Sequence, residues 1–176
     1  TVKTTTVKTD IQYTDIETGL ATKWHERATS DGSPDKVTDS DVEVAYNEKG
    51  QMTDYYTVMA ESAADGSLNR SFSFRKDNFV YDIVTGQASG WTQVTHGDSQ
   101  SPDLVIESAI AVSYDTSLRI ASYSEAGLKI SADEISYKEA YKLNKTNLIY
   151  NTFGQAISWT EESSSQTASS KNITTA

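Results

Sequence analysis

The 176 residues carry 25 acidic against 15 basic side chains, a formal charge of −10, no cysteine and a hydrophobic fraction of 36%. Lack of cysteine excludes disulfide scaffolds, thiol nucleophiles and iron–sulfur sites, while the scattered negative charge sets the chain against nucleic acid and anionic lipid. No apolar run approaches the roughly 20 residues that span a bilayer, so no membrane span is expected. The opening TVKTTTVKT has neither an initiator methionine nor a signal-peptide core, and reads as processed or excised.

The first element is a β-branched run through Ile11 to Tyr13, followed by a turn with Gly19 and a return strand carrying Trp24. A polar connection, DGSPD at 31–35, leads to a strand in which Val44 and Tyr46 share one face. Turn NEKG with Gly50 and a return strand with Tyr55 follow, then ADGS at 64–67. The third unit runs through Phe79 and Tyr81, a turn with Gly86, Trp91 and the connection DSQSPD at 98–103. The fourth has Val112 and Tyr114, then a turn with Leu118 and Arg119 in the Gly-Gln places, then Tyr123. After an insertion, ISYKEAYKLNKTN at 135–147, which reads equally as a longer strand or a local excursion, come Leu148, Tyr150, Gly154 and Trp159. Weak helical periodicity is confined to 133–143.

These segments are copies of one unit. The anchors Tyr13, Tyr46, Tyr81, Tyr114 and Tyr150 are 33, 35, 33 and 36 residues apart, a spacing that marks tandem repeats. In the four copies with a turn glycine, the second aromatic follows it by five residues, and the residue two before each tyrosine is apolar. Each copy reads as a β-hairpin whose turn closes on a left-handed residue. Leu118 cannot take that conformation cheaply, so the fourth turn is expected to be distorted or differently registered. The expected fold is all-β: tandem antiparallel hairpins over residues 1–35, 36–68, 69–103, 104–138 and 139–176, about ten strands forming one elongated twisted sheet or solenoid-like array. A closed up-and-down barrel holding a ligand is the alternative.

The pattern Tyr-Asn/Asp-x-x-Gly-Gln-x-x-x-Tyr/Trp, clearest in YNEKGQMTDY at 46–55 and YNTFGQAISW at 150–159, resembles the YD repeats of Rhs-type proteins and the hairpin arrays of giant hemagglutinin-like bacterial surface proteins. That resemblance implies a structural or adhesive segment at the cell surface or outside the cell, with β-sheet shells or adhesive surfaces as the family's use of such units. The period is longer than the usual YD unit, and glutamine stands where arginine is commoner after the glycine. Neighbouring repeats or other copies of the chain are the implied partners. Open sheet edges invite self-association into filaments, with TVKTTTVKTDIQY adding to a neighbour after its NITTA segment.

No catalytic constellation accompanies the repeat, and neither enzyme activity nor a cofactor is expected. His25 and His96 stand at different repeat offsets and read as solvent-facing strand residues. Asp31, Asp35, Asp39, Asp41, Asp98 and Asp103 read as turn formers rather than calcium ligands, because their spacing fits no calcium loop. Trp24, Tyr55, Trp91, Tyr123 and Trp159 would form a carbohydrate-stacking ladder if exposed; their fixed offset favours stacking between hairpins. The three sequons at Asn69, Asn144 and Asn172 are expected by chance in so Ser/Thr-rich a chain.

Overall fold

A computed structural model describes residues 3–14, 19–97, 104–131 and 137–167. Ten strands follow in chain order: β1 (Thr4–Tyr13), β2 (Ala21–Ser30), β3 (Ser33–Tyr46), β4 (Met52–Ala63), β5 (Asn69–Tyr81), β6 (Ala88–His96), β7 (Leu104–Tyr114), β8 (Ile120–Ser131), β9 (Lys138–Tyr150) and β10 (Ala156–Thr167). Their order in the sheet is their order in the chain, with β1 and β10 as the two edges. The sheet is open, so the barrel alternative is corrected: the first and last strands do not pair. Residues 138–143 are strand, and the described part of the insertion before Tyr150 runs into β9.

The chain packs as two units. One holds β1 to β4, β5 through Asp77, and residues 95–97; the other holds residues 78–94 and the described residues from 104 to 167. Among the described residues, the strand contacts within each join sheet neighbours. Burial among the described residues therefore comes from side chains lying beside one another on one face, not from a second layer. In the first unit the buried line on β3 is Ser40, Val42 and Val44, flanked on β4 by Thr57 and Glu61. In the second it is Ser108, Ile110 and Val112 on β7. Cross-strand rows such as Trp24–Val42–Thr57–Phe74 and Val44–Tyr55–Lys76 make this the aromatic face. Cross-strand pairs of this kind contribute roughly 0.2–1 kcal/mol each relative to alanine.

The hairpin turns show why asparagine or aspartate begins them. Asn47 accepts the backbone N–H groups of Lys49 and Gln51 on Oδ1 at 2.9 and 3.0 Å, and donates from Nδ2 to Gln51 Oε1 at 3.0 Å. Asn151 repeats every one of these bonds with Phe153 and Gln155. Asp115 accepts the N–H groups of Ser117 and Arg119, and its second oxygen takes Arg119 Nε at 2.9 Å. Amide is thus matched with amide and carboxylate with guanidinium across the turn, so Arg119 belongs with Asp115 as Gln51 does with Asn47.

The expected distortion at Leu118 is not found. Leu118 takes φ 62°, in the range of Gly50 and Gly154 at 74° and 77°. Its N–H reaches Asp115 O at 2.9 Å, as the glycine N–H does in the sister turns. The Asp115 bonds impose the register, and the leucine accepts a left-handed conformation that costs an L-residue about 1–2 kcal/mol. Leu118 is 51% exposed, so replacing it by glycine forfeits little burial. Allowing for the extra freedom of unfolded glycine, Leu118→Gly should stabilise the chain by about 0.5 kcal/mol, read as a higher urea midpoint. An unchanged or lower midpoint would mean that the leucine is not strained.

Candidate functional site

The repeat positions singled out in the sequence lie where one hairpin meets the next. Tyr46 Oη donates to Ala21 O at 3.1 Å, Tyr114 Oη to Ala88 O at 2.7 Å, and Tyr150 Oη to Ile120 O at 2.6 Å. Each of these three anchor tyrosines therefore fastens its strand to the start of the preceding return strand. Tyr81 is half-buried, while Tyr13, on the edge strand, is 51% exposed. Gly19, Gly50, Gly86 and Gly154 all have positive φ, as the turn requires.

A second recurrence emerges only in three dimensions. Asp10, Asn78 and Asn147, each three residues before an anchor tyrosine, have φ of 53°, 52° and 54°. At Asp10 and Asn147 the ladder shifts by one residue, a β-bulge. The extra residue resets the alternation of faces, so that Lys8 and Tyr13 share the aromatic face although their positions differ by an odd number. A tryptophan sits opposite each bulge region. Lys8 lies over Trp24 at 4.3 Å and Lys145 over Trp159 at 5.3 Å, while the two indoles donate to Glu26 and Glu161 at 3.4 and 3.3 Å. In the third hairpin Trp91 stacks on Phe79. The Asn78 and Asn147 amides donate to Thr92 and Thr160, each just after its tryptophan.

Hairpins with and without a left-handed residue three places before the tyrosine therefore alternate, and the underlying unit is two hairpins long. The motif Lys-x-Asp/Asn-apolar-x-Tyr ends β1, β5 and β9 at spacings of 68 and 69 residues. Ala-x-x-Trp opens β2, β6 and β10, at Ala21, Ala88 and Ala156. SPDKVTDSDVEVAY at 33–46 and SPDLVIESAIAVSY at 101–114 match at 68, and their buried residues coincide: Ser40 with Ser108, Val42 with Ile110, Val44 with Val112. The alternation of Trp and Tyr along the five aromatics was the visible signal of this doubled period.

Charged groups follow the same plan. Glu61, nearly covered, takes Lys36 at 2.7 Å and Arg70; burial raises its pKa, but the two cations outweigh burial and hold it below the usual value. Its counterpart in the other unit has the signs exchanged, Lys129 facing Glu139 at 3.1 Å. Hydrogen bonds from Tyr137, Ser165 and Lys129 lower the Glu139 carboxyl to about 2. Tyr123 and Tyr141 both donate to Glu125, at 2.7 and 2.6 Å; burial and then this carboxylate push Tyr141 up to about 12 and Tyr123 further still. Phenols so held remain protonated and serve as donors, not as bases.

On the opposite, polar face, His25 bridges Asp41 at 3.1 Å and Asp39 at 3.3 Å. The hydrogen bond that His25 donates to Asp41 raises the His25 pKa above its usual value, outweighing desolvation, and Asp39 adds to the rise. A raised folded-state pKa means that the pair stabilises the fold fully below about 6.5, the unfolded value, and that this contribution is lost as pH rises through the folded value. In an NMR titration His25 should therefore titrate above 6.5, and Asp41→Asn should bring it down; a His25 midpoint unmoved by that change would show that the pair is not formed. Among the described residues no group of three or more His, Cys, Asp or Glu is arranged to hold a metal. Asp31, in the turn between β2 and β3, accepts the backbone N–H of Lys3 on Oδ1 at 2.6 Å. Asp98, Asp103 and the Asn172 sequon lie outside the described residues, and no helix among those described is long and apolar enough to cross a membrane.

The aromatic series is neither a buried stack nor an exposed ladder. Trp24, Tyr55, Trp91 and Tyr123 are half-covered by their row neighbours, and Trp159 on the edge strand is 47% exposed. Comparison with known proteins yields no match: no family model, no curated protein and no solved structure is similar enough to place the chain in a family.

Proposed function

We propose that the chain is a structural or adhesive repeat segment of an extracellular bacterial surface or filament protein, built from YD/Rhs-like hairpins. The observation that carries this reading is the doubled repeat itself. Every residue that recurs with it joins one strand to the next: the tyrosine hydroxyls, the Lys–Trp–Glu stacks, the turn amides and the buried line of β3 and β7. A repeat whose recurring residues all serve neighbour contacts gains length and stiffness by adding copies. It has no need of a convergent acid, base or nucleophile. Half-covered indoles and phenols on one face also offer flat surfaces to a sugar or another protein surface.

Force spectroscopy of the intact chain between handles tests the structural half. A load-bearing array releases its hairpins in steps of about 34 residues, each roughly 110 Å of extended chain at ~3.3 Å per residue. Release of the whole chain in a single event at negligible force would refute it. Beads coated with the chain and presented to glycan- and protein-coated surfaces read the adhesive half, which fails if retention does not exceed that of uncoated beads.

A further inference from the structure

We infer that the outer edge of β10 is a docking site for one kind of partner: an extended segment of the pattern Ser-Pro-Asp-x-Val-x-x-Ser-x-Val/Ile-x-Val-x-Tyr, pairing antiparallel. The inference rests on the array reading above and names what such an array binds. β10 is the third strand of the type that begins with Ala-x-x-Trp. The first, β2, pairs along its far edge with β3, Trp24 opposite Val42 and Glu26 opposite Ser40. The second, β6, is followed in the sheet by β7. β3 and β7 share the fourteen-residue pattern, and each sends its last tyrosine hydroxyl to the alanine carbonyl that opens the preceding Ala-x-x-Trp strand. Ala156 is the alanine at that place in β10.

On β10 the acceptor surface is present and, among the described residues, no strand lies on its outer side. Trp159, the counterpart of half-buried Trp24, is 47% exposed. Its lysine and glutamate neighbours, Lys145 and Glu161, already stand in the positions that Lys8 and Glu26 occupy around Trp24. The platform is thus set for the cross-strand valine that covers the indole in β2–β3.

A second copy of this chain does not meet the requirement. Its β3 and β7 are interior strands, paired on both sides. Its edge strand β1 is of the β5/β9 type, which pairs in this fold with β4 and β8 and not with the Ala-x-x-Trp strands along their far edge. Head-to-tail addition of β1 to β10 would set Lys8 opposite Trp159, as Lys76 stands opposite Tyr55 and Lys145 opposite Tyr123, where a β3-type strand sets a valine as Val42 stands opposite Trp24. The occupant is therefore a β3-type strand from a segment outside these 176 residues.

The probe is a fluorescently labelled synthetic peptide, SPDKVTDSDVEVAY, titrated into the intact chain and followed by anisotropy and by indole emission. Saturable one-to-one binding with a blue shift is expected, weakened several-fold when the peptide carries Phe for its final Tyr, since one hydrogen bond contributes about 0.5–1.5 kcal/mol. Trp159→Phe in the chain should abolish most of the emission change while leaving anisotropy binding measurable. Absence of binding, or equal binding by a scrambled peptide, overturns the inference. So does equal binding by the β1 peptide TTTVKTDIQY, or concentration-dependent self-association of the chain alone, either of which would assign the edge to a second copy. Hairpin-by-hairpin release under force together with no peptide binding would leave the array reading standing and remove only the docking site.

Discussion

Ile110→Ala is expected to lower the unfolding free energy by about 3 kcal/mol, within the range of buried isoleucine truncations. Ile110 is 6% exposed at the middle of the buried line on β7. It stands opposite Glu125, whose carboxylate is held by Tyr123 and Tyr141. Among the described residues no second layer lies over this face, so the gap is not closed by a neighbouring element and water reaches the Tyr–Glu–Tyr cluster instead. Ile157→Ala is the control, because Ile157 is 61% exposed on β10 and its loss should cost no more than about 0.5 kcal/mol. Both are measured by urea denaturation. Equal costs would show that the line on β7 is not a core.

Gly127→Ala is the second large effect, a loss of about 2 kcal/mol from overpacking. A methyl group built at Gly127 stands 2.3 Å from Glu107 O, 2.9 Å from Tyr141 Cε1 and 3.0 Å from Ser108 Cβ. The first contact is with backbone, so strand β7 itself must move. The matching position in the other unit is Met59, opposite Phe72, and accepts a full side chain. The difference is the hydroxyl: Tyr141, the counterpart of Phe72, lies across Gly127 to reach Glu125, an aromatic covering a strand glycine. Tyr141→Leu in the Gly127→Ala background should recover part of the loss and not all of it, because the Glu107 carbonyl remains in place. Full recovery, or a harmless Gly127→Ala, would show that the backbone contact does not constrain the strand.

Much of the fold was legible because hairpin signals are local. Asparagine or aspartate, a residue free to take positive φ and an aromatic five places later are all set within ten residues, and the ten strands follow from five copies of that set. Leu118 marks the limit of such reasoning. As a single residue it argues for a distorted turn, and the structure shows the undistorted one, because Asp115 and Arg119 make the bonds that hold it. The doubled period was also present, in the alternation of Trp24, Tyr55, Trp91, Tyr123 and Trp159 and in the two SPD segments. A search for one anchor tyrosine averages over both kinds of hairpin and conceals it.

By itself, then, the amino-acid order determined the hairpin unit, its turn chemistry, the antiparallel class of the sheet and the face that carries Val44 and Val112, all consequences of short-range spacing and period-two alternation. Tertiary structure alone decided that the sheet stays open, that Asp10, Asn78 and Asn147 take left-handed backbone, that the aromatics are covered sideways by their row neighbours, and that β10 presents an acceptor edge. The physical reason is the same in each case. These outcomes depend on which strand lies beside which, and a pairing between residues tens of positions apart is settled by cross-strand packing that no local window contains.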